Sequence, residues 1–172
     1  MPAPFNTIDL TTLALRPGQA SRIDVELDPG SFELGGQSYA FDPARVPVRL
    51  DVSRTASGHA MRLRLGAELG GPCMRCLEPS QMAVAVDARE VNQPNTDDEE
   101  LTSPYVDEGV LDVAAWARDA IVLALPQTLL CRPDCAGLCP ECGISLNDVD
   151  PGTHVHEREP DPRWAKLREL ME

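Results

Sequence analysis

Six cysteines and two histidines are the residues of this chain whose types and spacing suggest chemistry. The cysteines occur as Cys73-Met-Arg-Cys76, Cys131-Arg-Pro-Asp-Cys135 and Cys139-Pro-Glu-Cys142. Two cysteines separated by two residues fit a tight turn that aims both thiolates at one ion, and structural zinc takes four such ligands in a tetrahedron. Pro140 and Gly143 favour such a turn, which makes the last pair the strongest signal. The pattern predicts structural zinc.

Six cysteines overfill one zinc site and leave a second site short by two ligands. His154 and His156 supply the missing pair. We predict two sites with the following ligands: site 1 from Cys73, Cys76, Cys131 and Cys135, and site 2 from Cys139, Cys142, His154 and His156. Two single-ion arrangements remain open, one using the four cysteines between 131 and 142, the other joining the two Cys-X-X-Cys turns. Disulfides are a further alternative, which a reducing cytosol disfavours.

Closed sites of this kind argue against catalysis. Four protein ligands leave no position for water or substrate, so such sites fold proteins rather than catalyse reactions. A redox Cys-X-X-Cys is expected in an alternation of strands and helices, whereas here strand patterns come first and helical patterns afterwards. No catalytic grouping of Ser, His and Asp and no phosphate-binding glycine loop stands out. We expect neither an enzyme nor a small-molecule substrate.

The elements that must position these residues begin with strands. Apolar and polar residues alternate over 23–27, 46–52, 61–69 and 82–88, and apolar residues flank the glycines at 35 and 36 in a further hairpin. Strict alternation indicates strands with one buried face. Runs this close together favour an antiparallel meander or partial barrel with its other face in solvent.

Helical patterns follow the strands. Asp112 is a good N-cap and Pro126 a stop for a helix over 112–125, whose only polar members after the cap are Arg118 and Asp119. We therefore predict a narrow polar face and packing on the sheet. Asp161-Pro162 starts a second, short helix. The predicted fold is α+β, with a β-rich domain over 1–130, including an acidic, mobile loop over 92–109, and a cysteine-rich zinc-binding tail over 131–172.

Charge is distributed unevenly along the chain. Residues 1–91 hold 11 acidic and 9 basic residues, whereas residues 92–172 hold 17 acidic and 6 basic ones, out of a net charge of −13. Nucleic-acid binders neutralise phosphates with Lys and Arg, so the C-terminal half favours a basic protein partner, or its acidity serves only solubility. Arg49, Arg62 and Arg64 alternate with core positions and are candidate nucleic-acid contacts, which Asp51 and Glu68 would partly neutralise.

The N-terminal residues and the hydrophobic runs bear on location. Met1-Pro-Ala-Pro lacks the basic start and apolar run of a signal peptide, and the longest apolar stretch, 121–125, is far below the roughly 20 residues that span a bilayer. We expect a cytoplasmic protein without membrane contact.

Four motifs, taken together and in order, resemble a known family. They are residues 73–79, the helix end at 121–126, the run 130–143 with Leu146-Asn147, and the closing segment 161–167. They resemble the YceD-like family of bacterial and plastid proteins over roughly residues 45–170. Many members show Cys-X-Cys where this chain has His154-Val-His156, so the departure replaces one pair of zinc ligands by another.

The resemblance implies a role in ribosome biogenesis, because that family is linked to accumulation of large-subunit (23S) ribosomal RNA. The expected partner is then ribosomal RNA or a pre-ribosomal particle, contacted directly through the three arginines. The alternative is an acidic adaptor that binds a basic ribosomal protein or an RNA-processing enzyme. A redox or metal-handling role ranks third.

Overall fold

The computed structural model describes residues 6–94, 96–150 and 152–156 of the chain. Within these ranges the strands are β1 (Thr7–Asp9), β2 (Ala20–Leu27), β3 (Phe32–Leu34), β4 (Gln37–Phe41), β5 (Val46–Arg54), β6 (His59–Pro72), β7 (Pro79–Asn92), β8 (Val106–Asp107) and β9 (Val110–Asp112). The α-helix is α1 (Val113–Ala124), and short 3₁₀ turns cover Glu99–Leu101 and Leu146–Asp148. The fold is α+β, as predicted.

The main sheet is antiparallel throughout. Strands β5, β6 and β7 form a meander, and β2 lies beside β5 on the other side. The β3–β4 hairpin, predicted around its two glycines, joins the far end of β6 where Phe41 pairs with Leu69. Because side chains alternate across a strand, this register places one apolar row of each strand on the same face.

The core lies between that face and α1. Leu50 and Leu63, paired across β5 and β6, are fully buried, and Trp116 and Ile121 of α1 are buried with them. The helix packs on β7 and β1. Asp112 ends β9 and caps α1, since its side chain accepts a hydrogen bond from the backbone N–H of Ala115 at 2.9 Å. A small sheet of β1, β9 and β8, which the sequence patterns did not predict, sets the start of the helix.

Two expectations about these elements are corrected. The acidic stretch 92–109, expected to lack regular structure, contains a 3₁₀ turn and β8, and the buried Asn92 side chain accepts a hydrogen bond from the buried Ser103 N–H. The exposed face of α1 is also wider than its polar residues suggest. The last turn leaves the core, so Val122 and Leu123 are exposed although apolar, and Leu123 is 87% exposed.

The predicted second helix falls on residues 157–172, outside the described residues. In the part of the chain that is described, no helix has the length and apolar character needed to cross a bilayer.

Candidate metal centres

The first Cys-X-X-Cys turn is the loop of the β6–β7 hairpin. The Cys73 N–H donates to the Glu78 carbonyl at 2.8 Å, and the Leu77 N–H donates to the Cys73 carbonyl at 2.9 Å. These bonds fold the hairpin loop so that Cys73 and Cys76 both enter one buried cluster. A long, regular strand pair therefore holds half of site 1 rigidly.

The residues just before this turn are closely packed. The buried Tyr39 lies against Gly71, where an added Cβ would sit 2.2 Å from the ring atom Cδ1. The Tyr39 hydroxyl donates to the Pro72 carbonyl at 2.9 Å. Gly71 is required by this close approach, and the contact fixes the strand end from which the turn departs.

The second Cys-X-X-Cys turn repeats the geometry of the first. The Cys139 N–H donates to the Ile144 carbonyl at 2.8 Å, and the Gly143 N–H donates to the Cys139 carbonyl at 2.9 Å. Leu77 and Gly143 occupy the same place and both have positive φ, 63° and 74° respectively. The left-handed region favours glycine, so the hairpin must hold Leu77 in a conformation that Gly143 adopts without strain.

Site 1 has the dimensions of a tetrahedral zinc site. Its Sγ atoms lie 3.8 Å apart for Cys73 and Cys135 and 3.5 Å apart for Cys76 and Cys131. Sulfurs about 2.3 Å from a central zinc ion would be about 3.8 Å apart. Cys73, Cys76 and Cys135 are buried and Cys131 is exposed, and all four thiols are free rather than bonded in disulfides.

Site 2 has a mixed donor set of two sulfurs and two nitrogens. Cys139 Sγ lies 3.2 Å from His156 Nε2, and Cys142 Sγ lies 3.3 Å from His154 Nε2. The two Nε2 atoms are 2.8 Å apart. A tetrahedral zinc would set these separations at about 3.5 Å and about 3.3 Å, so a small outward movement of the ligands accommodates the ion.

The eight candidate ligands fall into two groups of four. In each group the ligand atoms all lie within 4.8 Å of one another, and the groups are those of site 1 and site 2. The four cysteines between 131 and 142 therefore do not share one cluster, and the two Cys-X-X-Cys turns do not meet in one cluster either. Both groups can hold a metal ion.

The electrostatics of the thiols favour a cation. Burial opposes ionisation of Cys73, but backbone N–H groups of Cys76, Arg75 and Cys131 outweigh it and lower the Cys73 pKa to about 6. Contact with Cys76, together with burial and the remaining thiols, raises the Cys131 pKa to about 12. The Cys73 thiol therefore ionises more readily than the Cys131 thiol, whose hydrogen bond with Cys76 favours its protonated form. A bound divalent cation would favour the thiolate form of all four ligands.

Site 2 also has a readily ionised thiol. Backbone N–H groups of Cys142 and Glu141 lower the pKa of Cys139 to about 6, against the effect of burial and with help from His154. The thiolate is the form that binds metal, so each site contains one ligand prepared for binding.

Two residues that the cysteine pattern did not identify support site 1. Arg75, between the ligands of the first turn, donates through Nη1 to the Cys135 carbonyl at 2.9 Å. The Asn147 side chain donates through Nδ2 to Cys135 Sγ at 3.5 Å. Asn147 was part of the motif that carries the family resemblance, but spacing alone assigned it no contact.

The three candidate RNA-contacting arginines lie on the exposed face of the main sheet. Arg49 and Arg64 are register neighbours on β5 and β6, and Arg62 faces Asp51 in the next row. Each is paired with a carboxylate, and the pairs are Arg49–Asp24 at 3.1 Å, Arg62–Asp87 at 2.5 Å and Arg64–Asp51. The expected partner Asp51 is thus involved, and Asp24 and Asp87 are additional ones.

Comparison with known proteins places the chain in a family. The family described as "Large ribosomal RNA subunit accumulation protein YceD" matches residues 61–171. The chain belongs to the YceD family. That family is ribosome-related and is not a known enzyme family.

Curated relatives of this YceD-family chain are mycobacterial. It is 35% identical to uncharacterized proteins of Mycobacterium tuberculosis and Mycobacterium bovis, over 96% of this chain and 81% of theirs. It is 31% identical to an uncharacterized protein of Mycobacterium leprae, over 95% of this chain and 76% of that protein. No solved structure gives a significant match.

Proposed function

We propose that this YceD-family protein is a non-enzymatic ribosome biogenesis factor that supports accumulation of large-subunit (23S) ribosomal RNA in the cytoplasm. Family membership over residues 61–171 is the observation that carries the process. The non-enzymatic part is supported by the two four-ligand clusters, because four protein ligands occupy every position of a tetrahedral ion.

The metal in this proposal is structural zinc, one ion in each site. Four sulfurs, or two sulfurs with two imidazole nitrogens, are donor sets typical of zinc. Site 1 would join the β6–β7 hairpin to the segment after α1, since its ligands come two from each. Site 2 would close the loop between Cys142 and His154. Residues 131–172 are then a tail that metal attaches to a sheet with its own core.

We further propose that the exposed face of the sheet contacts the RNA backbone. Five arginines and three aspartates share two adjacent register rows on this face: Arg22, Arg49, Arg62, Arg64 and Arg89, with Asp24, Asp51 and Asp87. Their net charge is +2, on a chain whose net charge is −13. These two rows are more basic than the chain as a whole, although Glu26 and Glu68 project from the same face in neighbouring rows, and their arginines are the groups that phosphate binding requires.

The two more exposed ion pairs on this face do not prevent phosphate binding. The side chains of Arg49 and Asp24 are 51% and 67% exposed, and those of Arg62 and Asp87 are 38% and 48% exposed. Exposed pairs contribute only about 0–1 kcal/mol each, so a phosphate can replace the carboxylate at little cost. Arg89 forms no ion pair with any residue that the structure describes and offers an additional contact.

The test begins in the bacterial host. Depletion of the protein is expected to lower mature large-subunit ribosomal RNA, and the wild-type gene is expected to restore it. The variant with Arg49, Arg62 and Arg64 all changed to Gln should bind 23S fragments more weakly at low salt. Its plot of log affinity against log salt should be shallower by roughly 2–3, because three phosphate contacts are lost.

The acidic adaptor is the alternative outcome of the same test. It predicts that the arginine variant behaves like the wild type, whereas changing Asp97, Asp98, Glu99 and Glu100 to their amides weakens capture of basic ribosomal proteins. If neither variant alters ribosomal RNA in cells, both surface assignments are wrong. If depletion itself leaves that RNA unchanged, the proposed process is wrong.

A further inference from the structure

Asn147 belongs by sequence to site 2 but contacts site 1. It lies in the 3₁₀ turn Leu146–Asp148, within the loop that runs from Cys142 to His154. Its Oδ1 accepts a hydrogen bond from the Ala136 N–H at 2.8 Å, and its Nδ2 donates to Cys135 Sγ at 3.5 Å. One side chain thus connects the loop of site 2 to a ligand of site 1.

The backbone around Asn147 is held in the same place by other bonds. The Leu146 N–H donates to the Gly137 carbonyl at 2.8 Å, and Leu138 forms an antiparallel bridge with Ser145. Arg132 Nη2 reaches the Asn147 carbonyl at 3.4 Å. All these contacts join the loop of site 2 to the segment that follows Cys131, so the two segments keep one relative position.

Apolar burial contributes little to the order of the loop. In the described residues after Leu129, the buried side chains are those of Cys135 and Cys139, which are themselves candidate ligands. A metal ion held by Cys139, Cys142 and the two histidines would close the loop and so favour the position that Asn147 occupies beside Cys135. An N–H donor already in position stabilises the negatively charged thiolate and so favours the metal-bound state of site 1.

We propose that Asn147 is a positioning residue that couples the two metal sites, so that metal in site 2 raises the affinity of site 1. The inference rests on the proposed metal occupancy of both clusters. Since coupling free energies are reciprocal, metal in site 1 raises the affinity of site 2 by the same factor.

The experiment is a Co²⁺ titration of the full chain, in which the all-sulfur site and the mixed site are distinguished by their absorption spectra. Four proteins form a cycle: wild type, Asn147→Ala, a site 2 variant with Cys139→Ser and Cys142→Ser, and the combination. Loss of a ligand's outer hydrogen-bond partner typically weakens metal binding by roughly 10–100-fold. We expect Asn147→Ala to weaken metal binding at site 1 by this factor. The site 2 substitutions should then weaken metal binding at site 1 much less in the Asn147→Ala background than in the wild-type background.

Two further variants separate coupling from general damage to the tail. Asn147→Asp keeps an acceptor for the Ala136 N–H but replaces the donor to Cys135 by a carboxylate oxygen, so site 1 should weaken at least as much as in Asn147→Ala. Ser145→Ala is the matched control, because Ser145 begins the same turn without a side-chain capping bond. It should leave site 1 unchanged.

Several results would overturn the proposal. If Asn147→Asp or the site 2 variant keeps the wild-type affinity of site 1, the proposed coupling is wrong, even when the wild-type chain binds metal at both sites. An equal loss in Ser145→Ala shows that the turn as a whole matters and not the amide. A wild-type chain that binds no Co²⁺ overturns both this inference and the structural-metal part of the proposed function, whereas the ribosomal RNA measurements test the biological process separately.

Discussion

Disabling site 2 should unfold the tail while leaving the main sheet folded. The perturbation is Cys142→Ser in zinc-saturated buffer, which removes one ligand of site 2 and none of site 1. The prediction depends on how the buried residues are distributed. The main core contains the alternate residues of β5, β6 and β7 with α1, and its last buried member along the described chain is Leu129. Among the described residues between 139 and 156, only Cys139 has a buried side chain.

The magnitude follows from that distribution. Structural zinc binding contributes about 10–16 kcal/mol of folding free energy in small metal-dependent domains at neutral pH. A typical domain has a total free energy of unfolding of only about 5–15 kcal/mol. The buried side chain of this segment is itself a metal ligand, so no apolar core can replace the free energy of zinc binding. Loss of zinc from site 2 therefore removes more free energy than the other interactions of the tail supply.

Hydrogen exchange followed by mass spectrometry is the assay. Amides of residues 139–156 should exchange near unfolded rates in Cys142→Ser, whereas amides of β5 and β6 should keep wild-type protection. Val155→Ser is the matched control, since Val155 is 77% exposed and lies between the two histidines without being a ligand. Equal loss of protection in β5 and β6 would refute the reasoning, because the sheet would then depend on site 2.

Two other substitutions test the close packing beside the first Cys-X-X-Cys turn and the ion pairs on the exposed face of the sheet. Gly71→Ala should lower the free energy of unfolding by roughly 3 kcal/mol in chemical denaturation, because the buried Tyr39 ring cannot move away from a Cβ at 2.2 Å. Gly70→Ala is the control and should not lower it, because a Cβ at that position would lie 3.7 Å from the nearest atom. The hydrogen bond from Arg22, with that from Arg64, lowers the Asp51 pKa against the effect of burial. The stabilising contribution of the Asp51 carboxylate is therefore complete above the ordinary aspartate pKa of about 3.9, and it is lost as the pH falls through the lowered pKa of Asp51. Thermal unfolding should show a stability difference between wild type and Asp51→Asn at pH 6 that shrinks toward pH 2, and a constant difference would contradict this.

The strands and the metal-binding turns could be predicted because their signals are local. Alternation over a few residues places side chains on opposite faces of a strand wherever that strand lies, which is why β2, β5, β6 and β7 were anticipated. Counting ligands against a tetrahedron was likewise enough to suggest the same two groups of four that the structure brings together. The spacing of Cys139, Cys142 and His154 is short, so chain connectivity nearly determines their proximity.

Contacts between segments distant in sequence could not be predicted from such local patterns. The β1–β9–β8 sheet rests on pairing across about a hundred residues, and the exposure of Val122 and Leu123 depends on where α1 leaves the core. The carboxylate partners of Arg49 and Arg62 come from β2 and β7, and only the strand register selects them.

The amino-acid sequence by itself determined the residue types that can bind metal, the strand and helix patterns and the acidic balance of the C-terminal half. Only the tertiary structure decided that Asn147 reaches Cys135 and that Leu77 adopts the backbone conformation of Gly143. The physical reason is that propensity and periodicity act over one or two turns of chain. A hydrogen bond between two loops, or a strained residue held by a hairpin, exists only after long-range packing has brought its surroundings together.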